Sequence, residues 1–155
     1  MIESYVYLQP ALIQTLSNYE DVSIDFSRAE WELMKKVVRV LKPFQEATVM
    51  LSCSDASISQ VIPFVTTITE SLAEETNDDV GVLGMKRDLK KAMDTRFKDV
   101  ESLEHYTIST LLDAKYKGCF FQKPDTLAVT KELLTDVLVN LLKENGAPNE
   151  VIIIL

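Results

Sequence analysis

Five cations gather in a short stretch, Lys86, Arg87, Lys90, Lys91 and Lys98, and two more follow at Lys115 and Lys117. Three- and four-residue spacing on a helix would set such groups on one face that can neutralise phosphates. These seven are therefore the candidate contacts to a DNA backbone, against the plainer reading of a solvated basic face. Tyr116, Phe120 and Phe121 stand beside the last two lysines and could stack on bases. Their spacing favours one buried face instead. Asp113 beside those lysines reads as a cap or a local ion-pair partner, not as a catalytic acid.

Other chemistries find little to work with. Cys53 and Cys119 lie far apart without CxxC spacing and read as reduced thiols acting as small buried or half-buried apolar residues. A zinc site needs about four ligands, and only His105 joins the two thiols. His105 itself reads as an exposed loop histidine. The sequence has no Gly-rich phosphate loop, no HExxH and no GxSxG. The sequence therefore offers no catalytic, cofactor-binding or metal-ligating constellation.

The bulk composition bounds the setting. A chain of 155 residues is long enough for one domain with its own core. Hydrophobic residues make up 46% and charged ones 26%, while only 4 Gly and 5 Pro argue for long elements over tight turns. The net charge of −8 disfavours a dedicated nucleic-acid binder. The balance is uneven, however. Residues 86–123 hold nine of the 16 Lys/Arg against six of the 24 Asp/Glu, which leaves the rest of the chain at −11. No window reaches the roughly 18 apolar residues of a membrane span. Met1-Ile2-Glu3-Ser4 lacks the basic start and apolar core of a secretory signal. An intracellular protein with no membrane partner is expected, and the opening reads as a boundary inside a longer chain.

The elements that must position these residues follow from hydrophobic periodicity. Residues 2–19 predict a helix interrupted or begun at Pro10, closed by a turn at 18–21. Ser27-Arg28-Ala29-Glu30 is a capping box, with Phe26 as staple partner of Trp31. Behind it Trp31, Met34, Val37, Val38, Leu41 and Phe44 predict a long helix, kinked by Pro43 but continuing to Leu51. Ser57-Ile58-Ser59-Gln60 repeats the capping-box pattern before Val61, Ile62, Val65, Ile68 and Leu72. Residues 74–79 read as a solvated acidic connection that offers acids to the next helix, with an electrostatic latch or cation site as the alternative. Met85, Leu89, Met93 and Phe97 predict an amphipathic helix starting near Met85, its outer face basic. A short apolar run at 106–112 and a last helix, capped by Asp125 or Thr126 and stopped at Asn145-Gly146, complete the set. The expectation is an all-α bundle of about five to six helices, some kinked by proline, forming a single domain over residues 1–146. Residues 147–155 read as an apolar tail, either packed on the domain or a truncated element.

Several of these stretches, in order, resemble one known region. Trp31-Glu32-Leu33, Leu41-Lys42-Pro43-Phe44, Glu46-Ala47-Thr48 and Leu51-Ser52 resemble the W-x-L … L-x-P-F-x-x-A-T … L-S run of hAT-superfamily transposases and of their domesticated BED-zinc-finger relatives. Ser59-Gln60-Val61-Ile62-Pro63, Met93-Asp94-Thr95-Arg96-Phe97 and Leu111-Leu112-Asp113-Ala114-Lys115-Tyr116-Lys117 resemble later motifs of the same region, with Ala114 and Lys115 replacing the usual Pro and Arg. The match covers residues 26–121. It implies a helical insertion within an RNase H-like catalytic domain, and a nuclear location. It also implies that the metal-binding catalytic acids, the zinc finger and the dimerisation segment lie elsewhere in the parent protein.

Taken together, these features predict a non-catalytic structural and interaction module of a hAT-transposase-derived DNA-binding protein. Its partners would be the rest of its own parent chain, a second copy, or DNA through the basic helix. Two rival readings are a DNA-backbone-binding unit built on residues 85–98, and a fragment of an active metal-dependent transposase lacking its catalytic carboxylates.

Overall fold

The computed structural model describes residues 1–16, 18 and 26–144. Residues 17 and 19–25, with most of the turn expected at 18–21, and residues 145–155, with the expected Asn145-Gly146 stop and apolar tail, lie outside the described residues. Within them the chain is all-helical, with no strand, and forms seven α-helices: α1 (Ile2–Tyr7), α2 (Gln9–Leu16), α3 (Arg28–Leu51), α4 (Val61–Ala73), α5 (Leu83–Arg96), α6 (Glu104–Leu112) and α7 (Pro124–Glu144).

The all-helical class holds, but there are more helices than expected because the first segment divides at Leu8. Pro10 has no N–H to donate to the carbonyl one turn back, so the ladder breaks between α1 and α2. Asn18 then closes α2, its amide donating to Thr15 O at 3.1 Å and its side chain to Gln14 O at 3.2 Å. Neither α1 nor α2 buries a residue.

The capping box of α3 forms as its residue types dictate. Glu30 Oε2 accepts from the Ser27 amide at 2.7 Å, and Ser27 Oγ accepts from the Glu30 amide at 3.3 Å. Phe26 meets Trp31 edge-on with ring centroids 5.3 Å apart, the staple that fixes how the chain enters the helix. α3 runs on through Pro43. Beyond it three side chains turn back onto the backbone: Thr48 Oγ1 to Phe44 O, Ser52 Oγ to Thr48 O and Cys53 Sγ to Val49 O. Such back-bonding competes with the helical ladder and accompanies its end.

The second capping box does not form. Ser57 Oγ accepts from the Ser59 amide instead, opening a 3₁₀ turn at Ile58–Gln60 that leads into α4. Gln60 therefore has no reason to reach back, and its buried Oε1 has no hydrogen-bond partner among the described residues. Pro63 falls in the first turn of α4, where its missing N–H would have had no intrahelical acceptor, so the helix tolerates it.

The core lies where α3, α4 and α5 meet. Ala47, Ile68, Leu72 and Met93 are buried together, with Val40, Phe44, Phe64, Val65 and Leu89 packed against them. Ile62 is fully buried at 0% exposure. The second half is tied to α4 by polar bonds as well as packing. The buried Thr110 hydroxyl donates to Ser59 O at 3.1 Å, and Thr66 Oγ1 donates to Phe120 O at 3.0 Å.

α7 begins at Pro124, and neither Asp125 nor Thr126 caps it from within. The cap comes from another element. Glu101, on the 3₁₀ turn Val100–Ser102, accepts from the amides of Gln122 at 2.7 Å and Lys123 at 3.1 Å, and from Thr126 Oγ1 at 3.0 Å. A carboxylate at a helix N-terminus also meets the positive end of the helix dipole.

Candidate nucleic-acid interface

The basic helix α5 buries Met93 and half-buries Met85 and Leu89, as their four-residue spacing requires, whereas Phe97, the fourth of that series, stands at the helix end and is exposed. It starts at Leu83, two residues before the expected Met85, after a turn in which Gly81 adopts φ +95°. Its cations do not form one free outer face. Lys86 is the main correction, because it is only 6% exposed and points inward. Its Nζ lies 3.0 Å from Asp79 Oδ2 and also donates to Glu74 O. Lys86 thus leaves the set of candidate phosphate contacts: at 100° per residue its position falls beside Met93, on the core side.

The same contacts refine the reading of residues 74–79. Residues 74–78 are exposed, as a solvated connection requires, but Asp79 is buried and the segment also forms the alternative expected for it, a charged latch lying across α3 and α5. Asp79 is buried and accepts from the Thr76 amide at 2.7 Å and the Thr76 hydroxyl at 3.1 Å as well as from Lys86. The Thr76 amide and the Lys86 ammonium hold its carboxyl below the ordinary range. Asp78 pairs with Arg39 and lies 3.7 Å from Lys36. Its carboxyl is held low by Arg39, whose guanidinium is held high in return. Glu75 takes Arg87 at 3.3 Å.

Two further candidates carry local acids, Lys90 with Asp94 at 2.6 Å and Lys98 with Asp99 at 3.7 Å. Lys91 is exposed and makes no ion pair among the described residues. Arg87 and Lys91, one turn apart, share a stripe. Exposed pairs of this kind are individually weak, but each acid sets a negative charge beside its cation that an approaching phosphate would also meet.

Lys115 and Lys117 lie on the loop after α6, away from that stripe in the sequence and on a different element. Lys115 Nζ sits 5.1 Å from the centre of the Tyr116 ring. Tyr116 is buried and meets Phe120 edge-on at 5.7 Å, so it fills the core and cannot stack on a base. Asp113 is structural. It accepts from Ser59 Oγ at 2.6 Å and from the Lys115 amide at 2.9 Å, and these two bonds hold its carboxyl below the ordinary range.

Both thiols, Cys53 and Cys119, are exposed, contrary to the expected burial. Cys53 stands in the polar stretch that follows α3, and Cys119 sits on a loop whose inward positions are taken by Tyr116 and Phe120. His105 is exposed as expected but stands in the first turn of α6, not on a loop. Among the described residues no three His, Cys, Asp or Glu side chains converge as a metal site, and no helix is long and apolar enough to cross a membrane.

Sequence reasoning missed Glu101, the Asp79–Lys86 pair and the bond from Ser59 to Asp113. Only the second left a trace, since an acid and a base bracketing a Gly-containing turn can face each other. The other two join segments whose proximity exists only in the fold.

Fold and surface define an all-helical module whose basic helix is largely neutralised from within. No family model and no solved structure matches the chain. Human zinc finger BED domain-containing protein 4 is 35% identical over 122 residues, covering 76% of this chain and 10% of that protein. The mouse and human forms of zinc finger BED domain-containing protein 6 are each 28% identical over 127 residues, covering 75% of this chain and 13% of theirs. The chain thus spans about a tenth of the length of the curated relatives it matches. Its homologues are thus zinc finger BED domain-containing proteins, and the chain is related to one segment of them.

Proposed function

We propose that this chain is a non-catalytic helical scaffold and interaction module of a hAT-transposase-derived, nuclear DNA-binding protein. The observation that carries this reading is the disposal of the basic helix: Lys86 is buried against Asp79, and Arg87, Lys90 and Lys98 each have an acid within 4.0 Å. A surface built to grip phosphate would leave those cations unpaired and the domain less acidic than −8. The relatives are named for a zinc finger, and in this reading DNA binding by the whole protein belongs to that element, with the helices holding the parent chain together. Its own parent chain and a second copy are the partners this reading favours.

A second reading, a DNA-backbone contact through the stripe of Arg87 and Lys91, is favoured by the exposure of Lys91 without an ion pair among the described residues. Fluorescence anisotropy on a labelled duplex at low and physiological salt separates the two. The variant to compare is Arg87, Lys90, Lys91 and Lys98 changed to Ala, with Lys86 kept because its loss would strand Asp79. Equal weak binding by both proteins supports the scaffold. Micromolar binding that weakens with salt and disappears in the variant overturns it and makes the stripe a phosphate-contacting surface.

A further inference from the structure

The end of α6, the loop at 113–118 and the start of α7 enclose a groove of about 380 Å³ that none of the contacts above uses. We propose that this groove is a docking site for an amphipathic helix with leucine-type side chains on one face and carboxylates along its flanks. The proposal rests on the interaction-module reading and gives it a location and a partner chemistry.

Apolar side chains make the floor and walls: Leu111, Leu112 and Leu127. Leu112 is 60% exposed although it ends a helix whose other face is buried. Each polar side chain on the rim is a lysine, Lys117 from the loop and Lys131 from α7. The neighbouring acid, Asp113, is already engaged by Ser59 and the Lys115 amide. An apolar floor with a cationic rim, on a chain of net charge −8, complements an acidic amphipathic helix. A nucleic acid fits less well, because three leucines offer nothing to phosphate or sugar.

The groove is preformed. Tyr116 anchors the loop in the core, and the amides of Tyr116 and Lys117 both donate to Asp113 O, at 3.0 and 2.9 Å. Lys117 is the one non-glycine with left-handed backbone among the described residues, φ +49°. Glycine or asparagine would adopt that conformation more readily. Its lysine places a cation at the rim. Next to it Gly118 brings the loop against α7 so closely that a Cβ there would lie 2.7 Å from Leu127 Cδ1. A rigid wall reduces the ordering cost of binding.

The test titrates ¹⁵N-labelled protein with a synthetic helix bearing leucines one turn apart and glutamates on both flanks, beside a scrambled peptide of equal composition and a DNA duplex. The expected result is a micromolar Kd for the patterned peptide, with amide shifts gathered at Leu111, Leu112, Gly118 and Leu127. Leu112→Glu, at an exposed position that leaves folding intact by circular dichroism, should weaken binding at least about tenfold. Lys117→Glu with Lys131→Glu should lose the acidic peptide and accept one with lysine flanks. No binding, equal binding of the scrambled peptide, shifts elsewhere, or indifference to charge reversal would overturn the proposal. So would duplex binding at these lysines that is unchanged by Leu112→Glu. Failure of the scaffold reading is read separately, as duplex binding lost in the Arg87, Lys90, Lys91, Lys98 variant.

Discussion

The Ser59 hydroxyl donates to Asp113 Oδ2 across 2.6 Å, joining positions 54 apart in the sequence. One end of that bond lies in the turn that starts α4, and the other terminates α6. Thr110 adds a second link by donating to the Ser59 carbonyl. A single serine therefore receives both a carboxylate and a threonine from the later helix, and the two halves of the domain are held in register at that point.

Acid should loosen this junction. The carboxyls of Asp113, Asp79 and Asp78 are all held below their ordinary value near 3.8. A depressed folded-state pKa contributes stability that is present above the unfolded value and lost as pH falls through the folded one. Chemical denaturation should therefore show stability declining below about pH 4. Asp113→Ala should be less stable than the parent at neutral pH and lose less on acidification. An equal acid loss in both proteins would remove Asp113 from the account.

The buried pair of Asp79 and Lys86 calls for a double-mutant cycle. Asp79→Asn strands a buried ammonium, and Lys86→Met strands a buried carboxylate. Each alone should lower the melting temperature. The double variant should lower it by clearly less than the two losses together, because neither charge is then left unpartnered. Additive losses would mean that the contact carries no coupling.

Glu101 caps a helix to which it does not belong. Glu101→Ala should cost about 1 kcal/mol, the usual scale for losing an N-terminal cap. Hydrogen exchange should speed at Gln122 and Lys123, whose amides lose their acceptor, while α3 stays protected. Unchanged exchange at those two amides would show that the cap is dispensable.

Gly118→Ala puts a methyl where Leu127 now sits. Since a leucine terminus can shift, the cost should be about 1 kcal/mol. In a Leu127→Ala background the same change should cost almost nothing. A full cost in both backgrounds would place the strain in the backbone and not against Leu127.

The sequence made local features legible and long-range ones not. Ser27 and Glu30 declare their cap because both partners lie within one turn, and Met85, Leu89 and Met93 declare a buried stripe through period alone. Ser57 and Gln60 carry the same cap signature yet do not form it. A tertiary demand won there: Ser59 turns toward Asp113 and Thr110, and the entry to α4 tightens into a 3₁₀ turn. Lys86 departs from its expected place on the outer face for a similar reason. A lysine amid other cations looks solvated until the chain brings Asp79 back over the helix. Of the other candidate phosphate contacts, Lys91, Lys115 and Lys117 are exposed, and Arg87, Lys90 and Lys98 are exposed or half-exposed with acids beside them. Composition alone could not assign those acids to particular cations.

The buried Asp79–Lys86 contact also constrains how this domain can diverge. A mutational path that changes either position alone passes through a form with a stranded internal charge, so drift at the two should be correlated: both are retained, or both are exchanged together. An acid followed seven positions later by a lysine, across a glycine turn, would then be a marker for aligning distant members of the lineage where ordinary similarity has faded.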